Sequence, residues 1–99
     1  MLQVIFHGVN RNPAIEADVA KRFEALRRFD NELEECKVTI TKEGRQGQGE
    51  YAVKVDLVCG GQRSVIATER SPEAMAAVNQ VFDTVRRMVK DENDKRHHL

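Results

Sequence analysis

The chain has 99 residues, 40% of them hydrophobic, with 6 Gly and 2 Pro. That is enough for one hydrophobic core and too little for two. It also excludes collagen-like, low-complexity and disordered classes, because the apolar residues recur in periodic runs. Charge is abundant but balanced, 16 Lys+Arg against 16 Asp+Glu, so bulk charge argues against a nucleic-acid partner. Its distribution is uneven. Residues 21–28 hold five charged groups, four of them basic; residues 30–35 hold four acids and no base; residues 84–90 hold three bases and no acid. Positive potential is therefore expected on particular helix surfaces. No apolar run approaches the roughly 20 residues that span a bilayer. The opening Met1-Leu2-Gln3-Val4 lacks the basic region of a secretory signal. The expected home is the cytoplasm, with no membrane partner. Cys36 and Cys59 show no CxxC spacing and are expected to remain reduced there.

The first element expected is a strand over Leu2 to Val9. Leu2, Val4 and Phe6 alternate with Gln3, Ile5 and His7. Asn12-Pro13 then reads as a helix start, with Asn12 as cap, Pro13 at the first helical position, and Glu16 and Asp18 near the positive end of the dipole. Ile15, Val19, Phe23 and Leu26 recur at helical spacing, with Phe29 extending the stripe. Asp30-Asn31 is the stop. A second strand covers Cys36 to Lys42, with Cys36, Val38 and Ile40 inward. Residues 43–49 read as a long, Gly-rich hairpin loop. Tyr51, Val53, Val55 and Leu57 form the inner face of the third strand. Gly60-Gly61 marks a two-residue hairpin turn, and Gln62 to Thr68 a fourth strand. Ser71-Pro72-Glu73 repeats the helix-start pattern, with Ser71 as cap. Ala74, Val78, Val81, Phe82, Val85, Met88 and Val89 form the second apolar stripe.

The order is β-α-β-β-β-α, an α+β class. A four-stranded sheet with two helices packed on one face buries both stripes. Lys37, Thr39, Thr41, Lys54 and Asp56 then belong to a wet outer face. A single domain is expected over 1–92, with 93–99 as a frayed tail.

Few residues suggest chemistry. His7 lies on a strand, and His97 and His98 lie in the tail; no Ser/His/Asp or Cys/His arrangement is apparent. The acids of 30–35 lack the Gly turn and alternating oxygens of a calcium loop and read as a solvated loop. Gly44, Gly47 and Gly49 lie in a hairpin and open no helix, so they do not form a phosphate cradle. The expectation is a non-enzyme with no cofactor, no metal and no small-molecule substrate.

The helices carry the stronger signal. At 100° per residue, Lys21 and Arg28 share one side of the first helix, with Arg22 at the margin of its stripe and Arg27 on the opposite margin. On the second helix, Asp83, Arg86, Arg87 and Lys90 face outward. If the helices are neighbours, these residues form two ridges flanking one furrow, across which RNA phosphates could lie. The plain alternative is a pair of ordinary solvated helix faces, with Asp83–Arg87 as an i,i+4 pair. Phe6, Phe23, Phe29 and Phe82 all read as core residues. No aromatic platform for bases is expected, and RNA would be held by backbone and shape.

Three segments together resemble the ribosome hibernation-promoting factors and ribosome-associated inhibitors, also called sigma factor modulation proteins. They are Lys21-Arg22-Phe23-Glu24-Ala25-Leu26 with Phe29 and Asp30; the strand Cys36 to Ile40; and Gly60-Gly61 through Val65-Ile66-Ala67 to Ser71-Pro72-Glu73-Ala74-Met75-Ala76-Ala77-Val78-Asn79. The resemblance covers roughly residues 2 to 95. It implies a double-stranded-RNA-binding-domain-like fold and binding to ribosomal RNA in the decoding region of the small ribosomal subunit. Translation would be blocked there by occlusion of the mRNA and tRNA sites. It further implies that basic residues of both helices meet the RNA. By position, Arg22 and Arg87 stand where the family carries a base, and Arg86 and Lys90 stand beside such places. Ala25, Thr84, Asp91 and Asn93 stand where relatives often carry Lys, and the loop 44–49 is longer than expected. The chain looks like the short form of the family. The RNA-contacting set is thus expected to be Lys21, Arg22, Arg28, Arg86, Arg87 and Lys90. A protein-binding regulatory module without RNA contact is the alternative.

Overall fold

The computed structural model describes residues 1–44, 49–60 and 63–97, with side chains described to residue 91. Period-two alternation yields four strands and 3.6-residue periodicity two helices: β1 (Leu2–His7), α1 (Pro13–Phe29), β2 (Leu33–Glu43), β3 (Glu50–Cys59), β4 (Arg63–Ser71) and α2 (Ala74–His97). The sheet order is β1-β2-β3-β4. β1 runs parallel to β2, and the other pairs are antiparallel. β1 and β4 therefore point the same way, and the helix that follows each returns in a common direction. Both helices cover one face, where Val38, Ile40, Val53, Val55, Leu57, Val65 and Ala67 of the sheet meet Val19, Phe23, Val78, Val81 and Val85 in one core. This is the α+β architecture expected from the pattern.

Local signals explain most element ends. Asn12 accepts hydrogen bonds from the backbone N–H groups of Ala14 (3.0 Å) and Ile15 (3.4 Å), and Pro13 occupies the first turn. Arg11 pairs with Glu16 at 2.6 Å, and its hydrogen bond holds the Glu16 carboxyl below the usual range. Gly8 leaves β1 at φ 71, a left-handed value suited to a residue without Cβ. At the other end of β1, the N-terminal ammonium donates to the Glu34 carbonyl, and the Cys36 N–H donates to the Met1 carbonyl at 3.0 Å. Cys36 and Cys59 are free and buried. Burial pushes the Cys36 thiol up to about 12.

Several expectations need correction. Ser71 belongs to β4, and its Oγ accepts from the Glu73 N–H at 3.3 Å, a local turn. The first helical bond runs from the Ala77 N–H to the Glu73 carbonyl at 3.1 Å, so α2 begins after Glu73 and Ser71 is not its cap. The acids of 30–35 are no solvated loop. Asp30 is the buried C-cap of α1, Glu32 pairs with Arg63 at 3.1 Å, and Glu34 and Glu35 lie on β2. The backbone of α2 continues to His97. The sequence there contains no Gly or Pro, and acids at 91 and 92 precede bases at 95 and 96 by four positions, a spacing that favours helix. Of the expected hairpin loop, 45–48 lie outside the described residues, as do Gly61 of the expected turn and His98 and Leu99 of the tail.

Phe29 is the correction with most consequence. Four core positions, Ile15, Val19, Phe23 and Leu26, are buried, but Phe29 is 44% exposed. The next turn of that stripe, seven residues beyond Phe23, is the buried cap Asp30. Phe29 instead lies seven residues beyond Arg22, on the side of α1 that faces α2.

Candidate nucleic-acid interface

The two helices lie side by side over the sheet, and the furrow between them follows from their parallel course. Arg22 of α1 donates through Nη2 to the Asn79 Oδ1 of α2. Toward the C-terminal ends the walls are Ala25, Leu26 and Phe29 on one side and Phe82, Asp83 and Arg86 on the other. Each wall thus uses positions i, i+3, i+4 and i+7, one helical face. The cleft holds about 380 Å³, at the small end of ligand clefts, which start near 300 Å³. Its floor is apolar and its rim is guanidinium, amide and carboxylate.

The six sequence-predicted cations divide into two kinds. Lys21 and Arg28 project from the top of α1, while Arg86 and Lys90 follow one another along α2; all four are exposed and none has an ion pair among the described residues. The other two are partnered. Arg22 sits 2.6 Å from Asp18 on its own helix and is held to Asn79 across the furrow. Arg87 lies 3.5 Å from Asp83, both side chains 71% exposed. Such an exposed i,i+4 pair contributes only about 0.3–0.5 kcal/mol, so a stronger anion can replace Asp83. Arg27 faces away, paired with Glu24 at 3.3 Å and 5.8 Å above the Phe23 ring. The furrow itself brings together Arg22 and Arg86; Arg28, Lys21 and Lys90 flank it on the outer ridges.

Of the eight described residues that line the cleft, only Arg22 and Arg86 belong to the set predicted from sequence; among the other six, Phe29 and Asn79 bear most on what the cleft can bind. Phe29 had a usable signal: its phase matches Arg22 rather than Phe23. Asn79 had none, since its role depends on Arg22 reaching it from another helix. No group of three or more His, Cys, Asp or Glu is placed to hold a metal ion among the described residues, and among them no helix is long and apolar enough to cross a membrane.

A family model described as Sigma 54 modulation protein / S30EA ribosomal protein matches residues 2–97. No curated protein matches the chain. Among solved structures, a ribosomal subunit interface protein from Coxiella burnetii superposes with a TM-score of 0.80 at 13% identity, over 93% of this chain and 96% of that one. The N-terminal domain of Protein Y from Thermus thermophilus superposes with a TM-score of 0.76 at 21% identity, over 90% and 93%. The likeness to these two is one of fold.

Proposed function

The chain belongs to the Sigma 54 modulation protein / S30EA ribosomal protein family, and on that premise we propose that it is a ribosome-associated regulator of translation acting on the small subunit. The helical face lies against ribosomal RNA in the decoding region, and the domain occludes the mRNA and tRNA sites. The mechanism needs no bond making or breaking. Lys21, Arg22, Arg28, Arg86, Arg87 and Lys90 contact phosphates, and the sheet holds both helices rigidly enough for the ridges to act as one surface. The observation that carries this reading is that Lys21, Arg28, Arg86 and Lys90 gather on one face with no carboxylate partner among the described residues. Cations left without internal partners are available to displace counterions from RNA.

The test is co-sedimentation with isolated small subunits at low and raised salt. The expected result is binding that falls steeply with salt, since each phosphate contact adds roughly 0.7–0.9 to the slope of log affinity against log salt. Competition with mRNA for the same subunits is the second expected result. Binding indifferent to salt, or unchanged simultaneous binding of mRNA, would overturn the proposal. Capture of a partner protein after nuclease treatment, with no retention on subunits, would favour the protein-binding alternative.

A further inference from the structure

We propose that the interhelical furrow takes one unpaired RNA base, packed against the Phe29 ring, with the phosphates beside it on Arg86 and Lys90. This rests on the RNA-binding reading above and adds to it a base-binding pocket. Three features converge. Phe29 is 44% exposed and lines the cleft, although a Phe that served only the core would be buried like Phe23 and Phe82. The exposed Ala25 stands in the same wall, and its small side chain leaves open the space that a long one would fill. Arg22 and Arg86, with Asn79 and Asp83, rim an apolar floor.

That combination fits a base better than it fits an apolar protein segment. A nucleobase presents a flat π-face to an aromatic ring and carries its anionic phosphates a short reach away, so one nucleotide meets both the floor and the rim. An apolar helix would satisfy the floor but press its side chains against the guanidinium of Arg86 and the carboxylate of Asp83, stripping water from charges without replacing it. Asn79 adds a directional group. Its Oδ1 accepts from Arg22, which leaves its amide N–H groups to donate to an acceptor on a base edge.

The experiment measures affinity for isolated small subunits by co-sedimentation, using the full chain. Stacking on an aromatic side chain contributes about 1–3 kcal/mol per base, so Phe29→Ala should weaken binding by about fivefold to 150-fold. Phe29→Leu, which keeps an apolar side chain but removes the ring, should behave like Phe29→Ala, whereas Phe29→Trp should bind at least as well as the parent. Ala25→Leu, which fills the cleft without touching a charge, should weaken binding to a similar degree. A benzophenone side chain placed at position 29 should crosslink to ribosomal RNA. Unaltered affinity in both Phe29→Leu and Ala25→Leu, or a crosslink to a ribosomal protein, would overturn base insertion while leaving the phosphate contacts standing. Failure of the parent chain itself to pellet would overturn the RNA reading instead.

Discussion

The two broad faces of this domain carry charge in different ways. On the outer sheet face, opposite charges meet across strands. Lys37 is the register partner of Asp56, and Arg70 lies 3.4 Å from Glu43. Ladder geometry places Lys37 opposite Asp56, where an opposite-charge pair is mildly stabilising, and Arg70 of β4 reaches over β3 to Glu43 of β2. On the helical face, Lys21, Arg28, Arg86 and Lys90 have no such neighbour among the described residues. A chain of zero formal net charge can therefore offer a cationic surface, provided its carboxylates are spent elsewhere. Asp30 caps α1 and Glu32 holds Arg63 beside the β3–β4 connection, so part of the acidic segment is used to close the fold.

The contrast can be broken or sharpened experimentally. The largest effect is expected from removing the layer that holds the faces apart. Leu57 is fully buried, and Leu57→Ala should cost about 2–5 kcal/mol, read as a lower urea midpoint, with both faces lost together. Alkaline pH acts on the same layer. Burial raises the Cys36 thiol to about 12 from the ordinary 9.0. A raised folded-state value means that its contribution is complete below pH 9.0 and is lost as pH climbs toward 12. Urea midpoints should fall across that window, and Cys36→Val should fall less than the parent.

Charge reversal separates the faces from each other. Arg86→Glu combined with Lys90→Glu should lower the salt slope of subunit binding by roughly 1.5 to 2. Lys54→Glu, on the sheet face, should leave it unchanged; an equal loss would mean that the sheet also meets RNA. Asn12→Ala removes the α1 cap and should cost about 1 kcal/mol in thermal denaturation, with little effect on the salt slope. The smallest effect is expected from Asp18→Asn. It frees Arg22 from its carboxylate at a cost of about 0.2–0.5 kcal/mol in helix stability, and subunit affinity should rise roughly twofold.

The sequence by itself determined the order of elements, the inner residues of β2 and β3, the Asn12-Pro13 start of α1 and the apolar stripe of α2. These follow from periodicity and capping, which act over a few residues and are readable in one dimension. It also identified the six cations as surface residues. What only the tertiary structure decided was their company: Arg22 is tied to Asp18 and Asn79, Arg87 is loosely paired, and the other four cations have no carboxylate partner among the described residues. It also decided that Phe29 leaves the core. A helix margin turns toward the sheet or toward a neighbouring helix according to how the layers are stacked, and that choice sets which side chains are covered and which charges find partners. Position along the chain carries no record of it.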